Sequence, residues 1–377
     1  MNIFFLVFFV LYASVNLYIF VRSWQALEFV HNWRYLFALF FLFSSVAYFI
    51  AKIFSDKLPF SLYFLAVWVG SFWFFVVLYG FLSVLVIDFI RILNSGFHFL
   101  PKFLFSNLKL TKFLVFTLVF SIIALCGVLG YYNRSSIKVK ELKIELNQKG
   151  KEYKIVFFSD LHISVINNHK FLDKLIEKIN ELHPDVILIG GDLVDEKSNI
   201  LEKYGLVGKF KELKTKYGIF AITGNHEYIN GANYIVEYLE RNCNIKFLRD
   251  TAVLINDSFY LIGREDRSIR FFANRNRKTI SELLKNLPQG YSTILLDHQP
   301  LNLDEAVSAG IDLQLSGHTH NGQIFPLNFI TNLVYEVSWG YKRKGNTHFY
   351  VSSGVGTWGP PLKIGNNAEI VLIRLNL

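Results

Sequence analysis

Aspartate, asparagine and histidine residues recur in this sequence directly after short apolar runs. Five such polar segments follow one another in chain order: Ser159-Asp160-Leu161-His162, Gly190-Gly191-Asp192, Gly224-Asn225-His226-Glu227, Asp297-His298-Gln299-Pro300 and Gly317-His318-Thr319-His320. Carboxylate, amide and imidazole groups are ligands that suit Mn, Fe or Zn, and no thiolate is among them. The segments therefore indicate a catalytic type of metal site rather than a cysteine-rich structural zinc site.

In two of the segments, one residue separates two potential metal ligands: Asp160-x-His162 and His318-x-His320. In an extended backbone, this spacing would place both side chains on the same side. Glycines beside the proposed ligands permit tight turns and close approach of the backbone. Each segment alone is short enough to occur by chance, but five in fixed order favour one shared site.

Short buried strands would have to position these side chains. The apolar runs before the five segments are typical of strands bounded by Gly, Pro or polar residues: Ile155–Ser159, Val186–Gly190, Ile219–Thr223, Ile294–Leu296 and Leu313–Ser316. Between the first two lies Asn168–Leu182, whose apolar residues fall on one helical face. Strands alternating with amphipathic helices predict an α/β domain, with ligands bound at the carboxyl ends of the strands.

The series of motifs resembles the calcineurin-like metallophosphoesterase superfamily over about residues 150–377. The stretches Leu315–Gln323 and Tyr350–Thr357 are similar to a bacterial membrane-associated branch, which includes the YkuE-like and transmembrane metallophosphoesterases. The resemblance implies a four-layer α/β/β/α sandwich, in which helices cover two central mixed sheets.

The resemblance also implies a role for each motif residue. One metal ion would be held by Asp160, His162 and His320, and a second by Asn225, His298 and His318. Asp192 would bridge the two ions and count among the catalytic residues, and His226 would protonate the leaving oxygen as a general acid. The expected cofactors are two divalent or trivalent ions of Mn, Fe or Zn. A hydroxide bridging them would attack phosphorus in line.

These motifs predict a metal-dependent phosphoric ester hydrolase but leave its substrate open. We expect a phosphodiesterase or pyrophosphatase acting on a phosphorylated small-molecule or lipid-linked substrate. One alternative is a phosphomonoesterase, including a protein phosphatase, and another is a non-catalytic membrane sensor of a phosphorylated ligand. The presence of His226 argues against the sensor, since a pure binder has less need of a proton donor. No compact cluster of basic and aromatic residues indicates nucleic-acid binding, and the sequence does not specify an oligomeric state.

Several charged residues near the motifs have two interpretations. Asp195, Glu227 and Asp297 would orient ligands or simply terminate local turns. The cluster Arg264-Glu265-Asp266-Arg267 is predicted to be a solvated turn rather than a phosphate contact. The segment Tyr341–Lys344 fits an exposed hairpin or a contact with an anionic substrate or lipid head group.

The first third of the chain is almost free of charge. Of 377 residues, 52% are hydrophobic, and residues 1–133 contain only eight of the 39 Lys and Arg and three of the 30 Asp and Glu. Four apolar runs there approach or exceed the roughly 20 residues that cross a bilayer: Asn2–Val21, Tyr35–Ala51, Leu62–Ile90 and Phe113–Tyr132. We predict a transmembrane region of about four helices at residues 1–133, a juxtamembrane linker and first strand at 134–150, and a metallophosphoesterase domain at 151–377.

Basic residues give an indication of the orientation in the membrane. With four spans, the domain shares a side with the loop that contains Lys52 and Lys57, whereas six basic residues lie in loops on the other side. Positive charge favours the cytoplasmic face, so we predict an integral protein of the bacterial cell membrane with an extracytoplasmic catalytic domain. Four basic residues directly after the last run argue the other way: Arg134, Lys138, Lys140 and Lys143.

Overall fold

The computed structural model describes residues 3–146 and 151–377, apart from the side chains of Phe4 and Phe5. The predicted start of the first span at Asn2 and the end of the predicted linker, residues 147–150, lie outside the described residues. The chain divides into two units, Met1–Leu129 with Gly359–Pro361 and Gly130–Trp358 with Leu362–Leu377. The domain boundaries proposed from the sequence stay predictions.

Four long helices make up most of the first unit: α1 Ile3–Ala26, α2 Trp33–Ile53, α3 Phe60–Phe97 and α4 Leu108–Ser135, which continues into the second unit. Each is long and apolar enough to cross a membrane. Some polar side chains inside this unit are paired with one another. Trp73 donates from Nε1 to Asn16 Oδ1 at 2.9 Å, and Asp88 accepts hydrogen bonds from Tyr18 and Arg22. The four predicted apolar helices are thereby confirmed.

Two six-stranded sheets form the centre of the second unit. The first has the order β1-β12-β2-β3-β4-β5 and the second β10-β11-β9-β8-β7-β6. The strands are β1 Lys138–Glu145, β2 Glu152–Phe158, β3 Val186–Ile189, β4 Ile219–Ala221, β5 Ile245–Phe247, β6 Thr251–Ile255, β7 Phe259–Gly263, β8 Ser292–Leu296, β9 Leu313–Ser316, β10 Gly340–Lys344, β11 Thr347–Val351 and β12 Glu369–Asn376. Both sheets are mixed, because β12 is antiparallel to β2 and β7 is antiparallel to β6.

Apolar side chains from the two sheets share one core, in which Phe157 and Leu188 of the first sheet meet Leu261 and Leu315 of the second. The helices of this unit are α5 His169–Glu181, α6 Ser198–Lys203, α7 Asn225–Asn230, α8 Ala232–Cys243, α9 Ile269–Phe272, α10 Ile280–Leu284, α11 Leu303–Ser308 and α12 Leu327–Val334. Helices α5 and α8 pack on the outer face of the first sheet, and α10 and α11 on that of the second. The α/β/β/α arrangement agrees with the predicted fold class.

All five predicted strands are strands in the structure, but they belong to different sheets. The first three are β2, β3 and β4 of one sheet, and the other two are β8 and β9 of the second. The predicted helix is α5, whose N-terminus is capped by the Asn168 side chain accepting from Lys170 N at 3.2 Å. Five apolar side chains of α5 are buried against the sheet. The five polar segments predicted to form the site therefore follow strands of both sheets.

Candidate metal centre

The carboxyl ends of β2 and β9 bring together the first group of predicted ligands. Asp160, His162 and His320 each offer a ligand atom within 4.8 Å of the others. His162 Nε2 lies 3.0 Å from His320 Nε2, and His320 Nε2 lies 3.6 Å from Asp160 Oδ1. Asp160 is held by Ser159, which donates from Oγ to Asp160 Oδ2 at 2.5 Å.

The ends of β3, β4, β8 and β9 bring together the second group. Asp192, His298 and His318 again offer ligand atoms within 4.8 Å of one another. Asn225 Oδ1 accepts a hydrogen bond from His318 Nδ1 at 2.8 Å. Asp192 Oδ2 lies 3.2 Å from His298 Nε2 and 3.8 Å from His162 Nε2, so this carboxylate stands between the two groups.

The donor atoms in both groups fit metal ions. His298 donates from Nδ1 to the carbonyl of Gly190 at 2.7 Å, which aims its other nitrogen at Asp192. His298 Nε2, which faces Asp192, is buried and makes no hydrogen bond within the described chain. Buried unpaired polar atoms cost free energy, and imidazole with carboxylate is a donor set that Zn, Mn and Fe accept. The ligand roles of the individual residues stay predictions.

Burial sets the charge state of two imidazoles of the first group, those of His162 and His320. Burial lowers the pKa of His162 to about 3 and that of His320 well below its ordinary value. Both rings are therefore neutral at pH 7, the form that binds a cation. Burial also acts to raise the pKa of Asp192, but the charge of His298 holds it well below its ordinary value, so Asp192 is a carboxylate.

His226 lies beside the predicted metal ligands, and with His162 and Asp195 it forms a third group whose ligand atoms lie within 4.8 Å of one another. Its Nδ1 donates to Asp195 Oδ1 at 2.7 Å, and its backbone N–H donates to Asp192 Oδ1 at 2.8 Å. Burial acts to lower the pKa of His226, but Asp192 and Asp195 raise it to about 9. The ring is thus an imidazolium at neutral pH, the state required of a proton donor.

Glu227 ties together the two loops that carry Asp192 and Asn225. Its buried carboxylate accepts hydrogen bonds from the backbone N–H groups of Asp192, Leu193, Val194 and Gly224, at 2.7–3.1 Å. Of the two roles that the sequence allowed for Glu227, orientation of the ligand loops is the one seen. Asp195 likewise orients His226 rather than ending a turn.

Comparison with known proteins agrees with this geometry. Residues 153–322 match the family model described as calcineurin-like phosphoesterase. An uncharacterized metallophosphoesterase of Helicobacter pylori is 36% identical over 261 residues, which cover 66% of this chain and 68% of the relative. One from Aquifex aeolicus is 31% identical over 258 residues, covering 67% of this chain and 97% of the relative. The chain belongs to the calcineurin-like metallophosphoesterase family.

Membership of this family makes the chain a metal-dependent phosphoester hydrolase. Relatives with membrane segments occur in animals as well. A transmembrane protein with metallophosphoesterase domain from Bos taurus is 30% identical over 275 residues, covering 68% of this chain and 61% of the relative. The four apolar helices and such relatives indicate that the metallophosphoesterase is a membrane protein.

The predicted extended geometry of the two His motifs is wrong. Asp160 and His162 have φ angles of 55° and 49°, and His318 and His320 have 70° and 49°, all in the left-handed region. Two backbone hydrogen bonds of 3.0 Å, from the N–H groups of Asp160 and His162 to the loop after β3, hold one of these turns. Non-glycine residues adopt this conformation rarely, although Asp, Asn and His do so more often than other types. Asp160 and His162 nevertheless fall in one group of neighbouring ligand atoms, whereas His318 and His320 fall in two different groups.

Two glycines of the metallophosphoesterase motifs are required for close approach. A Cβ atom at Gly317 would lie 2.3 Å from Asp160 Oδ2, and one at Gly224 would lie 2.2 Å from Asp192 Oδ1. No real Cβ atom is found at such distances from another atom. The glycines thus let two strand ends reach the carboxylates of the site.

The prediction of a solvated turn at Arg264–Arg267 is also wrong. Arg264 lies within a buried ion-pair network, in which Nη1 is 3.3 Å from Asp297 Oδ2 and Nη2 is 2.7 Å from Glu305 Oε1. Arg277 contacts the other oxygen of Asp297 at 2.7 Å. The fully buried Asp266 accepts hydrogen bonds from Gln299, the neighbour of His298. Each of these charged side chains has a polar partner on another element, which offsets the cost of its burial.

Sequence reasoning missed two residues near the metal centre. Lys363 is fully buried, and its Nζ donates to the carbonyl of Ser353 at 2.6 Å. Burial lowers its pKa to about 8, while the nearby Glu369 and Asp160 act to raise it. Trp358 is half exposed, with its ring centroid 5.9 Å from that of His226. Neither residue belongs to a motif, so no local pattern could have identified it.

Proposed function

We propose that this metallophosphoesterase binds two metal ions and hydrolyses a phosphodiester or pyrophosphate bond. The observation that supports the proposal is the position of Asp192, whose carboxylate faces an imidazole of each ligand group. Asp160, His162 and His320 would hold one ion, Asn225, His298 and His318 the other, and Asp192 both. When bound, two such ions would lower the pKa of a water and offset negative charge on the phosphoryl oxygens.

The chain itself supplies the proton for the leaving group. Since His226 Nδ1 is occupied by Asp195, the proton at Nε2 is the one available to an alkoxide or phosphate that departs from phosphorus. The negative charges of Asp192 and Asp195 keep the imidazolium protonated until that transfer. A proton donor matters most for poorly stabilised leaving groups, which favours alkyl diesters, with a strongly basic leaving alkoxide, over activated aryl esters.

The membrane helices suggest the class of substrate and its location. We propose that the substrate is phosphorylated and lies at or near the membrane surface, with a lipid-linked diester or pyrophosphate as the leading candidate. The protein would reside in a bacterial cell membrane with the catalytic unit outside the cytoplasm, as the distribution of basic residues favours. Protease treatment of intact cells and of inverted vesicles tests this orientation: digestion of the catalytic unit in inverted vesicles alone would overturn it.

A direct assay tests the reaction. The full chain, purified in detergent and stripped of metal, is loaded with Mn, Fe or Zn and assayed on aryl phosphate monoesters, aryl diesters and lipid pyrophosphates. We expect metal-dependent hydrolysis of diesters or pyrophosphates, and His226→Ala should slow it least for aryl esters, whose leaving groups need little proton donation. His183→Ala is the matched control, because His183 is exposed and, among the described residues, its ring bonds only to the carbonyl of Glu181 in its own turn. Hydrolysis of monoesters alone would favour the phosphatase alternative, and binding of phosphate without any turnover would favour the sensor.

A further inference from the structure

Helix α12 exposes an apolar face to its surroundings. None of its side chains is buried, and Leu333 and Phe329 are 87% and 58% exposed. Ile330 and Val334 lie on the same side of the helix and are more than half exposed. Exposed apolar side chains that adjoin one another mark an interaction surface, whereas single ones need no explanation.

Two aromatic residues extend this face toward the metal centre. Phe325 contacts Phe329, with ring centroids 5.6 Å apart. Trp358 is joined to the same segment by two hydrogen bonds of 2.9 Å with the Gln323 side chain. We call the set the apolar patch: Phe325, Phe329, Ile330, Leu333, Val334 and Trp358.

The apolar patch borders the catalytic residues. Its segment begins shortly after the predicted ligand His320, and Trp358 lies beside His226. Tyr335, directly after α12, has its ring centroid 6.1 Å from that of His318. A surface that covers the patch would therefore lie next to the leaving-group side of the site.

The base of the patch is bonded to the last turns of α4. Phe325 N donates to the carbonyl of Ile364 at 2.9 Å, and Lys363 N donates to the carbonyl of Gly130 at 2.9 Å. A Cβ atom at Gly130 would lie only 2.9 Å from Ile364 Cγ1, so helix and loop are in direct contact. These contacts all lie within the second unit.

The end of α4 is a membrane boundary if α4 spans a bilayer. The helix has 28 residues, or about 42 Å at 1.5 Å per residue, against about 30 Å of hydrocarbon. Tyr131 and Tyr132 are exposed beside Gly130, and tyrosine is enriched where a helix leaves the hydrocarbon. Lys140 Nζ lies 5.8 Å from the ring centroid of the half-exposed Trp339, which adds a cation and an interfacial aromatic residue near α12.

We propose that the apolar patch inserts into the interfacial layer of the bilayer that α4 crosses and holds the metal centre at the lipid surface. The partner is the lipid surface itself, because the patch is apolar, carries Trp at its edge and is bonded to the end of a membrane helix. Membrane contact of the apolar patch is independent of the proposed reaction, and it can be tested without an activity assay.

Spin labels on the full chain measure whether the patch contacts lipid. Leu333→Cys and, separately, Ile330→Cys are made in a Cys126→Ser background, with the fully buried Cys243 left in place. The protein is reconstituted in vesicles of phosphatidylethanolamine and phosphatidylglycerol. Collisions of each label with oxygen, which concentrates in lipid, are compared with collisions with a water-soluble nickel chelate.

Two reference labels give the collision rates expected in lipid and in water. Leu118→Cys lies on an exposed face of α4, and Asp257→Cys lies in the exposed turn between β6 and β7. We expect both patch labels to favour oxygen, as Leu118→Cys does. Patch labels that match Asp257→Cys would overturn the proposal, because the face is then in water. Labels shielded from both reagents would overturn it too, and would indicate a protein partner such as a second copy of the chain.

Discussion

Asp195 Oδ1 lies 2.7 Å from Nδ1 of His226, so the proposed proton donor of this metallophosphoesterase is held by a carboxylate on another loop. Asp195 follows β3, and His226 lies in the first turn of α7, which follows β4, so the dyad depends on two neighbouring strands of one sheet. The contact fixes the ring orientation and, with Asp192, raises the pKa of His226 to about 9. The His226 ring is therefore protonated at neutral pH, and its contact with Asp195 fixes the orientation of the ring.

The first prediction concerns this dyad. His226→Ala should lower kcat by about 10²–10⁴-fold, the usual contribution of general acid catalysis, and Asp195→Asn should lower it less. The loss should grow as the leaving group becomes more basic, because only poor leaving groups need the proton. A series of aryl and alkyl esters measures this dependence.

The control for the dyad is Asp173→Asn, since Asp173 is an exposed carboxylate paired only with Lys209 on the surface. It should behave as the wild type throughout the series. An equal loss for every leaving group in His226→Ala would contradict the role of proton donor and point to a role in binding.

The second prediction concerns the number of metal ions. Asp192 faces both ligand groups, so Asp192→Asn should reduce bound metal from two ions per chain to one or none and abolish turnover, with the fold retained. Elemental analysis of protein equilibrated with Mn, Fe or Zn gives the stoichiometry, and circular dichroism gives the fold. Asp304→Asn is the control because this exposed carboxylate lies outside the site. Full metal content with unchanged turnover in Asp192→Asn would refute the bridging role.

The third prediction concerns Gly317. A methyl group there would meet Asp160 Oδ2 at 2.3 Å, so Gly317→Ala should displace a proposed ligand and destabilise the catalytic unit by about 1–3 kcal/mol, the usual cost of overpacking. Metal affinity and the thermal midpoint should fall together. Gly208→Ala is the matched control, because no atom lies within 4 Å of its added methyl. A Gly317→Ala protein with normal metal affinity would show that the loop after β9 can move away from Asp160.

The sequence could predict the strands and the ligand residues because both are local patterns. Apolar runs such as Val186–Ile189 are buried on both faces, and each is followed by a polar motif. The second sheet and the pairing of ligands into two groups came from family resemblance, since they join residues far apart in the chain. Left-handed turns at Asp160 and His318 were missed because no residue type in either motif demands them.

Charged residues were the other source of error. Arg264 was expected in solvent because charged side chains are usually exposed. Its partners Asp297 and Glu305 lie on later elements, and nothing in the sequence near Arg264 reveals them. Lys363 could not be identified for the same reason: its one acceptor in the described chain is a backbone carbonyl.

The last prediction uses this buried network to measure what it contributes. Arg264→Met keeps the apolar stem but removes the charge that Asp297 and Glu305 share, and removal of one partner from a buried ion pair costs about 3–5 kcal/mol. Arg277 still pairs with Asp297, so we expect the lower end of that range, read as a fall in the thermal midpoint of the catalytic unit.

Arg241→Met is the control, because this Arg pairs with Glu237 on an exposed face of α8 and such pairs contribute about 0–1 kcal/mol. Equal midpoints for the two variants would mean that water reaches Asp297 and screens its charge. Because Asp297 directly precedes His298, a large fall with reduced metal affinity would show that the network also holds the second group of ligands in place.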